Sequence, residues 1–569
     1  MIKKNFFSMY PGAVLYGLFF NISLMIDSII AGQVLGADGI TAVAVGVPGY
    51  GAIAAVIYSL IHGSGLRMIW AKGHADNEGC RRAYNGGATL VGIAGFIFAL
   101  LIYAFAYDIV LICGGDMVEP AVRQGAAVYL RFCSPIVFLT ALGILLQEVL
   151  NVYGFQRERA ALGIVNVAVN LIVSISCVSF FPADMKLAGL GLGTSAGGLA
   201  EFLLGLILLR ILKVPLGYRP LILRPSEIID TLRSGFPATV DFFSENVIMG
   251  IQNNLILSGF PGDRMILPTA EVVCNISYFA SGAIKGAAIA AEPLFGVFYS
   301  ERDVNSIKKV WKQGWTIGFF ASIVWAALFY LALPVLSSLC GMELSYDISR
   351  GVLLCLIFAP VMHTVYMFTL YYEGIKRFAL SIVFAVIPDS CLYILMMALL
   401  IPILGKDGIW LSITGNQLIG LILLIPLVLL LGAGSGRKMD RLLLLPKEFY
   451  TEPLLNEFDI SGADTDEKTE FEKLKAPLKG ILSYTDRIDS VLGCAEDLVS
   501  DMRQSSDSVH IKLMGNKERA ELFVRSYGNR WELPLNISEK IKSWGKGVSI
   551  TSSYVYKMNI VCVTLDAGL

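Results

Sequence analysis

The chain has 569 residues, 55% of them hydrophobic and only 16% charged, with a mean hydropathy of +0.65. That composition excludes an ordinary soluble protein of this length and places the chain in the polytopic membrane class. The net charge of -1 identifies no partner, because charge is unevenly spread: charged residues rise from about 12% before Gly436 to about 30% after it, which marks a soluble domain following a membrane domain.

Lys3 and Lys4 precede a long apolar run with no small-residue cleavage site, which predicts an uncleaved first span. Inside that run the stretch Ile26–Gly32 carries Asp27. The span is long enough to cross about 30 Å of hydrocarbon. A carboxylate there costs roughly 2.5 to 3.5 kcal/mol on insertion scales and is read as a functional group facing a cavity or partner. Apolar windows of helical length fall near 6–30, 41–66, 86–107, 127–153, 160–181 and 188–212, then near 236–258, 269–299, 314–338, 351–372, 378–403 and 408–431. A shift of 227 residues sets Asp27–Gly32 on Asn254–Gly259, Asp76 on Asp303, and Cys113-Gly114 on Cys340-Gly341. Beyond that the offset drifts, with Pro135 on Pro360 and Gly154–Arg157 on Gly374–Arg377. The expected fold is therefore an all-α polytopic membrane protein of twelve transmembrane helices in two parallel six-helix repeats, a lobe at 1–213 and a lobe at 214–436 with a cavity between them.

Loop charge orients the chain. With the amino terminus inside, nineteen Lys and Arg fall in inner loops and six in outer ones, so both termini are expected in the cytoplasm. Residues 437–476 read as a charged, solvated linker. Residues 477–569 read as a small cytoplasmic α+β domain, with an amphipathic helix near 487–504 and apolar strands near 509–514, 520–525 and 559–565.

Asp27, Glu148, Glu201, Asp241, Glu245, Glu271, Lys285, Glu292, His363, Glu373 and Asp389 all lie inside predicted spans. Asp27 is the candidate for coupling to a cation. Asp241 and Glu245 are four apart and share a helix face; Lys285 and Glu292, seven apart, likewise share one. These four, with Glu271 and His363, are the candidates for a substrate cavity. The excess of acid favours a cationic substrate. The ten cysteines form no CxxC pair, so neither a disulfide framework nor a zinc site is expected. The tail has no phosphate-cradling motif, and neither a cofactor nor enzymatic chemistry is expected of the chain.

The blocks Met25–Gly32, Gly39–Ala44, Trp70–Asp76 and Gly154–Arg157, with Pro237 followed by Glu245 and the run Glu292–Gly296, resemble those of the multidrug and toxic compound extrusion (MATE) family over about residues 1–436. The resemblance implies a two-lobed antiporter of the cell membrane that exports organic cations or drugs, with Asp27 matching the aspartate that binds a coupling proton or Na⁺. Two departures favour the proton: His363 stands near the place of a tenth-helix aspartate found in one branch, and Ser174, after Asn170, stands where many members have Asp. Two rival readings are a flippase for lipid-linked saccharides and a membrane sensor signalling through its tail. The tail weakly resembles the ATP-binding fold of histidine kinases and anti-sigma factors, on Ala495–Asp501 and Arg525–Gly528. Asp501 stands where that fold has a metal-binding asparagine and Ser526 where it has an aspartate, so a nucleotide-free domain that binds a regulatory partner is expected. Beyond that regulatory partner, membrane lipid and a small cationic substrate no partner is expected, nucleic acid least of all.

Overall fold

Hydrocarbon offers a backbone no hydrogen-bond partners, so apolar windows can cross it only as helices. The computed structural model describes all residues except 1, 113–118, 183–184, 261–262, 264–265, 340–341, 434–437, 447–448, 450–453, 462–473, 476–484, 505, 507, 516–518, 529–530, 543–547, 556–557 and 567–569. The Cys113-Gly114 and Cys340-Gly341 match and half of the expected linker lie outside the described residues.

Helix α1 (Ile2–Gly73) is unbroken, yet its 72 residues would reach about 108 Å if straight, more than three times the hydrocarbon thickness. The rings of Phe20 and Tyr58 lie 6.5 Å apart, where a straight helix would part them by about 57 Å. The element therefore doubles back and supplies the first two spans. The first lobe continues through α2 (Asn77–Ala104), α3 (Ala106–Ile112), α4 (Pro120–Cys133), α5 (Ile136–Val152), α6 (Gln156–Phe180) and α7 (Lys186–Ile211). The second runs from α8 (Pro225–Gly259) through α9 (Ile266–Ile284), α10 (Gly286–Ser300), α11 (Val304–Leu331), α12 (Leu333–Leu339), α13 (Tyr346–Leu356), α14 (Ala359–Gly374), α15 (Phe378–Val386), a π-helical turn Ile387–Leu392, α16 (Tyr393–Leu404) and α17 (Lys406–Leu431). Among the described residues, ten spans pass on length and apolarity when each bent pair counts once. The first arm of α1 and α8, expected as spans one and seven, are helical but are not among those ten.

The repeat is visible in local geometry. The α4–α5 pair bends by 44° and the α13–α14 pair by 46°, next to Pro135 and Pro360. Asp76 caps α2 by accepting from the Gly79 N–H, and Asp303 caps α11 by accepting from the Ser306 N–H. The residue before each cap, Ala75 and Arg302, has φ of 54° and 52°. One pairing shifts: the left-handed residues before α6 and α15 are Gly154 (φ 78°) and Lys376 (φ 62°), so Gly154 corresponds in space to Lys376, two positions beyond the Gly374 that sequence matching gives.

Among the described residues the lobes meet closely in the half of the bilayer toward Gly73 and Pro225, here called the tail face. A methyl group on Gly63 would collide with the Thr231 carbonyl, one on Gly235 with the Ser59 carbonyl, and Gly17 and Gly282 exclude each other's side chains in the same way. Gly235→Val should therefore overpack the seam and lower stability by about 1–3 kcal/mol, read as a lower thermal unfolding midpoint of the purified protein; an unchanged midpoint would show that the seam can give.

The tail is a five-stranded antiparallel sheet in the order β1 (Leu454–Ser461), β2 (Ser508–Gly515), β3 (Arg519–Tyr527), β5 (Met558–Asp566), β4 (Val548–Val555). Strand β1 comes from inside the stretch read as solvated linker. Glu457 on this edge strand stands opposite Lys512 and 3.2 Å from His510, and this charge pairing is invisible to a hydropathy reading. One face of the sheet packs Ile511, Val524 and Val561 against α18 (Thr485–Arg503) and α19 (Leu535–Lys542). The other lies on the membrane domain: Met558 and Ile560 join the apolar cluster of Phe298 and Ile307, and Phe523 and Cys562 cover Ala75.

Candidate functional site

Asp27 is 7% exposed and lies inside the first lobe. Its carboxylate accepts from Tyr129 Oη at 2.9 Å, Thr194 Oγ1 at 2.5 Å and Asn170 Nδ2 at 3.2 Å. Ser174 Oγ donates to Asn170 Oδ1 at 2.8 Å, which turns the amide nitrogen toward Asp27. Seven residues beyond Thr194 on α7, Glu201 accepts from Gln147 Nε2 at 2.5 Å and Asn166 Nδ2 at 2.6 Å. Both carboxylates line one cavity of about 120 Å³, with Tyr16, Tyr58 and Phe242 on its wall toward the second lobe. All five of these donors are neutral, so each acid is solvated by dipoles rather than paired with a cation. The arrangement rests on glycines of α7: a side chain on Gly193 would strike Ser174, one on Gly197 would lie 2.7 Å from the Asn166 carbonyl oxygen, and one on Gly143 of α5 would meet Glu201.

The second lobe has its own polar cavity of about 160 Å³, holding Lys285, Gln252, Tyr278, Asp389, Tyr393 and Asn416. Lys285 sits at the 43° bend between α9 and α10, with Nζ 3.7 Å from the Tyr366 ring centre. Asp389, in the π-helical turn, accepts from Gln417. Asn21 of α1 reaches across to the Tyr278 carbonyl at 2.5 Å, so the two cavities are separated by the first span.

A third cluster, nearer the tail face, bridges the lobes. His62 Nε2 lies 3.2 Å from Glu373 and 3.7 Å from Glu292, while Arg159 pairs with Glu148 at 2.9 Å and stacks 3.6 Å from the Tyr16 ring centre. Of the sequence candidates, then, Asp27 and Lys285 line different cavities, and Glu292 belongs to this bridge. His363 is buried against Gly318 between α11 and α14 and lines neither cavity. The side chains of Asp241, Glu245 and Glu271 lie outside the described residues. The sequence reading did not single out His62, Tyr129 or Thr194. The first is a lone histidine in an apolar run, and the other two gain meaning only from contact with Asp27. Glu201 was visible as an acid within a span but had no partner in sequence to lift it above the rest.

Below the membrane the tail contacts both lobes at the repeat-related turns. Ser553 Oγ donates to the Lys72 carbonyl at 3.0 Å, and Asn77 donates to the Ser552 carbonyl. On the second lobe Arg525 bridges Glu301 at 3.1 Å and Asp303 at 2.6 Å, all three side chains 1% exposed. Lys512 Nζ donates to the Glu301 carbonyl at 3.3 Å, and Asn305 to Glu457 at 3.0 Å. Asp303, Glu457 and His510 converge closely enough for a metal, but the Arg525 guanidinium already occupies Asp303, and Lys512 is nearby. Burial alone would raise Asp303, yet the charges of Arg525 and Lys512 outweigh it and hold its carboxyl well below the usual range; this is an ion-pair network.

In the tail itself Asp501 accepts from the Trp531 indole N–H at 2.6 Å, and Asn559 donates to Ser526 at 3.2 Å while accepting from the Trp531 backbone N–H at 2.9 Å. The two positions that would serve a nucleotide are thus engaged with protein. The purified chain should release no phosphate from ATP above background, and saturable turnover would overturn that.

The MatE family model matches residues 13–178. No curated protein matches the chain. Among solved structures, an "outward-facing conformation of a multidrug resistance MATE family transporter" is 17% identical over 74% of this chain and 94% of its own length, with a TM-score of 0.65. A MATE protein in the bent conformation is 16% identical over 79% and 97%, with a TM-score of 0.65. Another, in complex with MaD3S, is 15% identical over 79% and 96%, with a TM-score of 0.64.

Proposed function

On the footing that the chain has the MATE fold and carries a MatE domain in its first lobe, we propose that it is a secondary antiporter of the cell membrane that exports organic cations in exchange for protons through Asp27. The observation that carries this reading is the ring of neutral donors around Asp27 in a cavity holding a second acid, Glu201, with no basic residue among the described residues of its wall. Such a carboxylate can hold a charge while its ring is intact and can give that charge up to a proton. A cationic substrate in the same cavity competes with the proton, and that opposition is antiport. The tail face is the cytoplasmic side on the loop-charge argument.

The acids of the first cavity favour a cationic substrate over the pyrophosphate of a lipid-linked saccharide, which would need a cationic cavity. The test is extrusion of a fluorescent organic cation from proteoliposomes under an imposed proton gradient. Export that collapses when the gradient is dissipated supports the reading; a gradient with no export of any cation tried, alongside binding of a lipid-linked pyrophosphate, would replace it.

A further inference from the structure

One further cavity belongs to none of these clusters. It is a groove of about 1180 Å³ on the outer side of the seam between the lobes, at its tail-face end. The walls come from both lobes: Val56 of α1, Ile229, Leu232 and Phe236 of α8, Phe378 of α15 and Leu431 of α17. Five of these, Val56, Ile229, Leu232, Phe236 and Leu431, are between 37% and 62% exposed. They are large apolar side chains on a surface that faces hydrocarbon.

The groove's polar lining is cationic and sits at one end. Lys376 and Arg377 occupy the turn between α14 and α15, and Arg233 lies in the tail-face part of α8. All three side chains are exposed. Arg377 donates to the Leu444 carbonyl at 3.2 Å, and Lys376 Nζ lies 4.2 Å from the Trp70 ring centre. The charges acting on this end are Asp230, which attracts Lys376 and Arg67, and Arg67 itself, which pairs with Glu227 at 4.0 Å.

Apolar walls in the depth of one leaflet, with three cations where that leaflet's headgroups lie, match the two parts of a lipid. Acyl chains fill any such groove in a bilayer, so only the headgroup is open to choice. A zwitterionic headgroup would bring a cation of its own against Arg233, Lys376 and Arg377, whereas an anionic one would bring only acceptors. We propose that this groove is a binding site for an anionic phospholipid of the tail-face leaflet, held by Arg233, Lys376 and Arg377 and lying across both lobes. Since α1 forms one wall and α8, α15 and α17 the other, the bound lipid spans the seam and favours the state in which that seam is closed. The site stands apart from the transport reading, because binding needs neither substrate nor gradient.

The test uses the purified full-length chain, delipidated in detergent and titrated with phosphatidylglycerol or phosphatidylcholine of matched acyl chains, with retained lipid counted by native mass spectrometry. Each cation near a headgroup is worth about fivefold in affinity. Phosphatidylglycerol should be retained at least fivefold better than phosphatidylcholine, and Arg233→Gln with Lys376→Gln and Arg377→Gln should erase that preference. Charge-preserving Lys376→Arg and Arg377→Lys should keep it, which separates loss of charge from loss of fold. Arg219→Gln with Lys309→Gln and Lys312→Gln removes three cations elsewhere on the tail face and should leave the preference intact. Equal retention of the two lipids, a preference that survives the first triple substitution, or an equal loss from the second would each overturn the site.

Discussion

Arg525→Ala should release the tail from the second lobe. Its guanidinium is buried between Glu301 and Asp303 and lies 5.1 Å from the Phe298 ring centre. Removing one partner of a buried ion pair costs about 3–5 kcal/mol, because the charges left behind stay desolvated. Here the residue left behind is a group of three carboxylates, Glu301, Asp303 and Glu457. The expected readout is a several-hundred-fold rise in trypsin cleavage between the membrane domain and the sheet, with the helices still folded by circular dichroism. Arg525→Lys, which keeps one charge but loses the fork between two carboxylates, should fall between. Cleavage at the wild-type rate in Arg525→Ala would show that the contacts at Lys72 and Ser553 hold the tail alone.

The same cluster gives docking a pH dependence. Burial pushes Glu301 up to about 7, with Arg525 opposing and Asp303 adding to the rise. A carboxyl whose docked value lies above its free value takes up a proton on docking, so docking weakens as pH rises from about 4.5 to about 7, by up to tenfold per unit. Asp303 works the other way, since its docked value is depressed, and its contribution is lost only in strong acid. Lys512, lowered chiefly by burial, and Glu457, lowered chiefly by its His510 hydrogen bond, complete the charged set around Arg525. The tail should therefore hold more tightly at pH 6 than at pH 8, and cleavage rates measured at both would show it. The consequence for transport follows from where the tail is fixed: it touches one turn of each lobe, and those turns must part if the tail face is to open.

How much of this the sequence carried depends on whether the signal was local. Asp27 was legible because a single acid in an apolar run is conspicuous wherever the chain later takes it. The duplication was legible at Asp76 and Asp303, where both the residue and its left-handed neighbour recur, but it slipped by two at Lys376, because a left-handed turn there is made by lysine rather than glycine. The neutral ring around Asp27 draws on α4, α6 and α7, and no spacing in the chain announces that they meet. The docking face of the tail was hidden for a related reason. His510, Lys512 and Arg525 alternate with apolar residues on β2 and β3, which reads as an ordinary sheet face turned to water. Only their burial against Glu301 and Asp303 shows that this face has a partner within the same chain.

Asp27→Asn should leave the protein expressed and folded while abolishing substrate-driven proton movement. An amide is cheaper than a carboxylate in a span, and Tyr129 and Thr194 can still donate to its carbonyl oxygen, so the ring at 2.5 to 3.2 Å is not emptied. What disappears is the ability to exchange charge for a proton, and with it the competition between proton and substrate that couples their movements. Glu201→Gln should act differently: it keeps Asp27 as the coupling group but removes the second negative charge of the cavity, so cation affinity should fall, by roughly tenfold if one screened charge is worth about 1.4 kcal/mol, with proton coupling retained. The measurement is cation-induced proton flux in reconstituted vesicles, alongside equilibrium binding of the same cation to the purified variants. If Asp27→Asn still moves protons on addition of substrate at the wild-type rate, the coupling group is not Asp27, and Glu201, the other acid among the described residues of the cavity, is the next to test.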